Sequence, residues 1–259
     1  MTNNKDSEAI TRLLQIMSEL REKCPWDKKQ TMESLRYLTI EETHELSDAI
    51  LENNHFEIKK ELGDILLHIV FYSQIAMENN YFDFTDVINA LCEKLIIRHP
   101  HVFGEVKVND AEDVKTNWEK IKLSEGRKSV LDGVPKSLPA MVKAFRIQEK
   151  VHGVNFDWEN SSQVLEKVKE EITELEEEIK ENNHSKMEEE FGDVLFSLIN
   201  YARFLDINPE DALEKTNRKF IARFQKMEEL INENNQSLTQ MNLPEMDVYW
   251  EKAKIMISD

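Results

Sequence analysis

The sequence predicts an all-α protein, on three observations. Apolar residues recur at three- and four-residue steps, Leu, Glu, Lys and Ile are abundant, and the 259 residues hold six Gly and six Pro, too few for a turn-rich β fold. A four-carboxylate pattern also occurs twice at helical spacing. Glu42, Glu45, Glu61 and Asp64 in the first half, and Glu171, Glu174, Glu190 and Asp193 in the second, both run Glu, three on to Glu, sixteen on to Glu, three on to Asp. A three-residue step keeps two carboxylates on one helix face, and the longer gap accommodates a turn and a second helix. Each half is therefore expected to form an acidic-faced helical hairpin.

The elements follow in order. Ile10, Leu13, Leu14, Met17 and Leu20 mark an amphipathic opening helix that stops before Cys24-Pro25-Trp26-Asp27, where Pro25 breaks it. A second helix carries Leu35, Leu38, Glu42, Glu45 and Ala49 as far as Asn53-Asn54, and a third runs from Phe56 to about Met77. Thr85 is the expected N-cap of a helix through Val87, Leu91 and Leu95 to Arg98, ended by Pro100. A further helix is expected over Ala111 to Leu123, with Trp118 and Lys122 on it. The stretch that follows mixes Gly126, Gly133, Pro135 and Pro139, and reads as a linker over 124–137 between domains at 1–123 and 138–259. The second domain opens with a helix near Leu138 to Val151, passes through irregular His152-Gly153-Val154-Asn155-Phe156-Asp157-Trp158, and repeats the hairpin from Ser161. Asn182-Asn183 then matches Asn53-Asn54, Phe191-Gly192-Asp193 matches Leu62-Gly63-Asp64, and Pro209-Glu210 opens the next helix.

With 51 acidic against 33 basic residues, the formal net charge of -18 argues against nucleic acid or an anionic membrane as partner. Cys24 and Cys92 make neither a disulfide framework nor a metal motif. The longest apolar stretch, Ile65 to Tyr72, is interrupted by His68 and is far too short to span a bilayer, so a cytoplasmic protein is expected.

Four carboxylates in one groove repel one another unless a cation joins them, and hard divalent ions such as Mg2+ take oxygen ligands. A lone Glu-x-x-Glu on a helix is ordinarily a solvated face, but a solvated face has no reason to preserve the gap and the surrounding apolar residues twice. Basic pairs follow each hairpin, Lys94 with Arg98 and Lys219 with Arg223, each four apart on one helix face and able to grip neighbouring phosphates. Trp250 with Lys254 repeats Trp118 with Lys122, which sets an aromatic face beside an ammonium group; a core role for the Trp is the competing reading. Glu41-x-x-His44 imitates half of a di-iron bundle, but Thr173 stands at the position of His44 in the second copy. His99 and His101, on either side of Pro100, read as structural. Aligned through the carboxylates, Lys167, Lys186, Asn200 and Asn217 stand where the first copy has Leu38, Glu57, Phe71 and Cys92. All four differences enrich the second copy in groups that bind phosphate or ribose, so the second site is expected to be the better catalyst.

The assembled motifs resemble the MazG family of nucleoside triphosphate pyrophosphohydrolases in its two-domain form. The resemblance rests on Glu41-Glu42-x-x-Glu45 with Glu61-x-x-Asp64, Glu170-Glu171-x-x-Glu174 with Glu190-x-x-Asp193, Cys24-Pro25-Trp26-Asp27, Arg98-His99-Pro100-His101-Val102-Phe103 and Asn217-x-Lys219-Phe220-x-x-Arg223-Phe224. It implies two tandem MazG-like domains in a helical-bundle homodimer, Mg2+ as cofactor, and cleavage of nucleoside triphosphates between the α and β phosphates. By the same resemblance Glu171, Glu174, Glu190 and Asp193 hold the metal and are catalytic. Lys167, Glu170, Lys186, Glu189, Lys219, Arg223, Trp250 and Lys254 are then expected to face the substrate. From the chemistry of metal-activated water, and not from the resemblance, Glu170 or Glu174 is expected to orient or deprotonate the attacking water. Glu42, Glu45, Glu61 and Asp64 form a second metal site, which either binds metal without turnover or supports assembly. Two alternatives stay open at this point: a narrow pyrophosphohydrolase for one deoxynucleotide or damaged nucleotide, and a non-catalytic acidic assembly module.

Overall fold

The computed structural model describes residues 4–108, 110, 113–114, 117–118, 121, 126 and 128–257. They form helices without a strand, in two compact units, 1–107 and 108–259. The helix expected over 111–123, with Lys122, and the first part of the expected linker lie largely outside the described residues.

Unit 1 contains α1 (Asn4–Lys23), α2 (Met32–Leu51), α3 (His55–Glu78), α4 (Phe84–Arg98) and the single turn α5 (Pro100–Phe103). α1 lies across the α2–α3 hairpin, and Met17, Leu35, Val70, Phe71 and Ile75 form the buried core between them. Arg21 ties the end of α1 to the hairpin. It donates to the carbonyls of Asp27 and Gln30, pairs with Glu78 at 2.5 Å, and lies over the Phe71 ring. α4 starts one residue before the expected Thr85 cap: Asp83 caps it instead, accepting from the Asp86 N–H while Asp86 returns the bond. A carboxylate three residues ahead of another can make this reciprocal box, which Thr85, two positions later and with Ile88 three residues beyond it, cannot.

Unit 2 contains α6 (Ala140–His152), α7 (Ser161–Glu181), α8 (His184–Phe204), α9 (Pro209–Glu233) and α10 (Leu243–Met256). α7 and α8 form the second hairpin, with Val164, Val168, Val194 and Ile199 buried. α9 and α10 pack through Met227, Leu230, Ile231 and Ala253.

Both hairpins turn by the same device. Asn53 and Asn182 are left-handed, with φ of 52° and 55°, a conformation that Asn tolerates better than most L residues. The N–H groups of Asn54 and Asn183 reach back five residues to the carbonyls of Ala49 and Glu178, closing the helix end. The side chains of those same residues then cap α3 and α8. Two asparagines thus end one helix and begin the next, which sets the register of the facing carboxylates. No helix among the described residues is long and apolar enough to cross a membrane.

Candidate metal and nucleotide site

In unit 2, α7 contributes Glu171 and Glu174 and α8 contributes Glu190. One carboxylate oxygen from each lies within 4.8 Å of the other two. Glu171 is buried and Glu174 exposed, so the cluster runs from the hairpin seam out to solvent. Asp193 falls outside this tight group, one turn along α8, but its charge reaches it. Partial burial, then Asp193, then Glu171, raise the Glu190 carboxyl above the usual range. Glu174 is raised by partial burial first, then by its hydrogen bond with Glu171 and that residue's charge.

Lys167 lies at the edge of the cluster, 2.7 Å from both Glu170 and Glu171, and these two hydrogen bonds hold its ammonium well above the ordinary lysine range. It partly neutralises the buried carboxylate. Lys186 pairs with Glu178 at 3.1 Å, and Glu189 lies exposed beside Glu190, adding to its upward shift.

Unit 1 repeats the arrangement with Glu42, Glu45 and Glu61, again within 4.8 Å of one another. Glu61 is 2 % exposed, and its buried Oε2 has no hydrogen-bond partner. Burial, then Asp64, Glu45 and Glu61, push the Glu42 carboxyl up. The ammonium group here comes from the opposite helix: Lys60 donates to Glu61 at 2.8 Å. Leu38 packs against the core and Phe71 belongs to it, so two positions that are polar in unit 2 are structural in unit 1. His44 is exposed and stands apart from the carboxylate group.

Two participants escaped the sequence pattern. Glu178 continues the Glu171–Glu174 face by one more turn, raises Glu190, and has a buried Oε2 without a partner. Its helical spacing was visible, but Ala49 occupies the same place in the first copy, and a search for what repeats passes over it. Lys60 was hidden for the same reason, since Glu189 stands at its position in the second copy.

The remaining substrate-side candidates lie on α9 and α10. Lys219 is exposed one turn from Arg223, whose buried Nε has no hydrogen-bond partner. Trp250 tilts against Phe220 with ring centroids 5.2 Å apart and joins the α9–α10 core, beside a groove of about 170 Å3. Lys254 pairs with Glu251 at 2.8 Å. Among the described residues, Lys219, Arg223 and Trp250 make no hydrogen bond or ion pair with the carboxylate cluster. Asn200 and Asn217 are engaged locally, with Arg203 and Glu214 respectively.

The family model for the MazG nucleotide pyrophosphohydrolase domain matches residues 30–103 and 159–227, covering each carboxylate hairpin in turn. The chain belongs to the MazG family. It is similar to the nucleoside triphosphate pyrophosphohydrolase/pyrophosphatase MazG of Thermotoga maritima, with 47% identity over 93% of this chain and 94% of that one. It is also 41% identical to the nucleoside triphosphate pyrophosphohydrolase of Escherichia coli K12, over 95% and 97% of the two chains. A crystal structure of a mazG-related protein from Thermotoga maritima aligns with 44% of this chain at 28% identity and a TM-score of 0.40. Membership accounts for both hairpins, since the two matched segments contain all eight patterned carboxylates.

Proposed function

We propose that this MazG-family chain is a magnesium-dependent nucleoside triphosphate pyrophosphohydrolase of broad range, releasing a nucleoside monophosphate and pyrophosphate, with its catalytic centre in unit 2. The observation that carries this reading is the convergence of Glu171, Glu174 and Glu190 from two helices to within 4.8 Å. The names of its relatives supply the reaction class.

The donor set fits Mg2+: it is all oxygen and anionic, and at Glu174 and Glu190 partial burial and then the neighbouring carboxylates raise the carboxyl pKa, which a bound cation would offset. Glu171, Glu174, Glu190 and Asp193 would hold the ion, which when bound polarises phosphate oxygens and lowers the pKa of water. Glu174, the exposed member, would orient a water or take its proton, a role open also to exposed Glu170 one turn away. Lys167 stays protonated and holds Glu171 in position. Lys219 and the unmet Nε–H of Arg223 supply phosphate contacts, and Trp250 with its neighbouring groove supplies a stacking surface for a base.

In unit 1 the core uses Leu38 and Phe71, and Lys60 already occupies Glu61, so we assign that cluster to cation binding without turnover. A homodimer fits the exposed apolar residues of α4, which buries none of its own although it carries Leu91, Leu95, Ile96 and Ile97.

A pyrophosphate-release assay with ribo- and deoxynucleoside triphosphates, run on the native chain and on Glu174→Gln, tests the proposal. Turnover of several nucleotides, lost in the folded variant, is expected. Full activity in the variant means that the site is wrong; activity on one nucleotide alone supports a narrow enzyme; no turnover with any divalent metal supports the assembly module.

A further inference from the structure

Unit 2 also holds an open cavity of about 740 Å3 whose walls include none of the residues placed above in the metal or nucleotide site. It surrounds the irregular segment from His152 to Trp158, for which the proposed reaction has no use. The two units differ at this end of the hairpin. α3 has 24 residues and α8 has 21, and the additional turn of α3 is what brings Glu78 onto Arg21 in unit 1. In unit 2 the cation at the position of Arg21 is Lys150, which donates instead to the carbonyl of Val130 at 3.0 Å. That pair has no counterpart at the same positions; in unit 2 the segment after α6 is tied to α8 by Arg203 and Asp157 instead, and the cavity lies at this end of the hairpin.

The wall chemistry selects a ligand. Arg203, its one guanidinium, is committed: it donates to Asp157 at 2.6 Å and to Asn200 at 2.8 Å, and it lies 4.6 Å over the Phe204 ring. Asp157 is held from the other side by His152 at 2.6 Å, and Glu149 by Arg146 at 2.7 Å. Among the described residues the side-chain carboxylates of Glu159 and Asp206 make no hydrogen bond or ion pair, and the half-exposed ring of Trp158 lines the same cavity. The C-terminal ends of α6 and α8 and the N-cap of α9, Asn208, all reach this wall, so helix dipoles of both signs meet there and the side-chain carboxylates decide its charge. An aromatic face flanked by unpaired carboxylates favours a cation over an anion, and the volume is that of a small-molecule site.

We propose that this cavity binds a small organic cation, an ammonium or guanidinium group on a flat or short apolar body, with its head paired to Asp206 and Glu159 and its body against Trp158. It is a ligand site separate from the carboxylate cluster.

The test is calorimetric titration of the full chain, at saturating Mg2+ so that the carboxylate cluster does not compete. The probes are tyramine, agmatine, and 4-hydroxyphenylacetate, an anion with the ring of tyramine. Saturable binding of at least one cation and none of the anion is expected. Affinity should fall about tenfold or more in Asp206→Asn and in Glu159→Gln; both changes are isosteric and exposed, and Asn suits the left-handed backbone at 206, where φ is 55°. Glu174→Gln should bind the cation as the native chain does. The proposal is overturned if neither cation saturates by about 10 mM, if both wall variants bind like the native chain, or if binding is lost in Glu174→Gln.

Discussion

Replacing Glu171 by Gln keeps the shape of the buried side chain and removes its charge. In the metal-free chain two effects oppose each other. The three cluster oxygens lie within 4.8 Å of one another, so their like charges repel, with solvent screening the repulsion most at exposed Glu174. Glu171 takes part in two of the three pairs. The same change gives up its ion pair with Lys167 at 2.7 Å, an attraction of similar size. Stability without metal should thus change by no more than about 1 kcal/mol. Binding of Mg2+ has no such compensation, because one of the four carboxylates that attract the ion is gone while the Lys167 charge stays. We expect affinity to fall about 10- to 100-fold, the equivalent of about 1.4 to 2.8 kcal/mol, and turnover to fall by about two orders of magnitude or more. Thermal unfolding across a Mg2+ titration measures the first effect, since a ligand that binds only the folded state raises the melting temperature according to its dissociation constant. A Mg2+-induced shift in Glu171→Gln equal to that of the native chain would refute the assignment.

Because Glu174 and Glu190 have raised carboxyl pKa values, protons compete with the metal in the mildly acidic range, and Mg2+ affinity should drop more steeply from pH 7 to pH 5 than for carboxyls of ordinary pKa; calorimetric titration at several pH values checks this. His68 acts on stability with its own sign. Burial lowers its pKa, against a smaller upward pull from Asp64, so its contribution is present above the unfolded value of about 6.5 and is lost as pH falls through the depressed folded value; His68→Met should flatten that acid limb in denaturant melts. Glu61→Gln should leave pyrophosphate release within about twofold of native while lowering the number of Mg2+ ions bound, and a large loss of turnover would place catalysis in unit 1 as well. Asn182→Ala should cost about 1 kcal/mol in urea unfolding and Asn182→Gly little, because only the former forces a Cβ-bearing residue without a compensating polar group into the left-handed turn.

Much of this architecture is local, and local structure is written in residue order. The helix ends at Pro25, Asn53-Asn54 and Asn182-Asn183 are set by chemistry within a few positions, and so the sequence places both hairpins closely. Where two nearby residues could serve as cap, as with Asp83 and Thr85, only the realised hydrogen bonds decide. The repeat was a sound guide to what the two halves share and a poor one to what they do not. Lys60, Glu178 and the missing turn after Phe204 each belong to one half alone.

The sequence by itself determined the all-α class, the paired acidic hairpins and the kinship to the MazG family, because helical periodicity and the spacing of carboxylates survive without coordinates. Tertiary structure decided which charges meet. Lys167 closes on Glu171 in one unit and Lys60 on Glu61 in the other, from opposite helices of the same hairpin. It also decided which polar groups are used up, as Asn200 is by Arg203, and that a cavity lies at the end of the shorter hairpin helix. Charge pairing and enclosed space depend on distances between helices, and those are properties of packing that no run of residues along one helix carries.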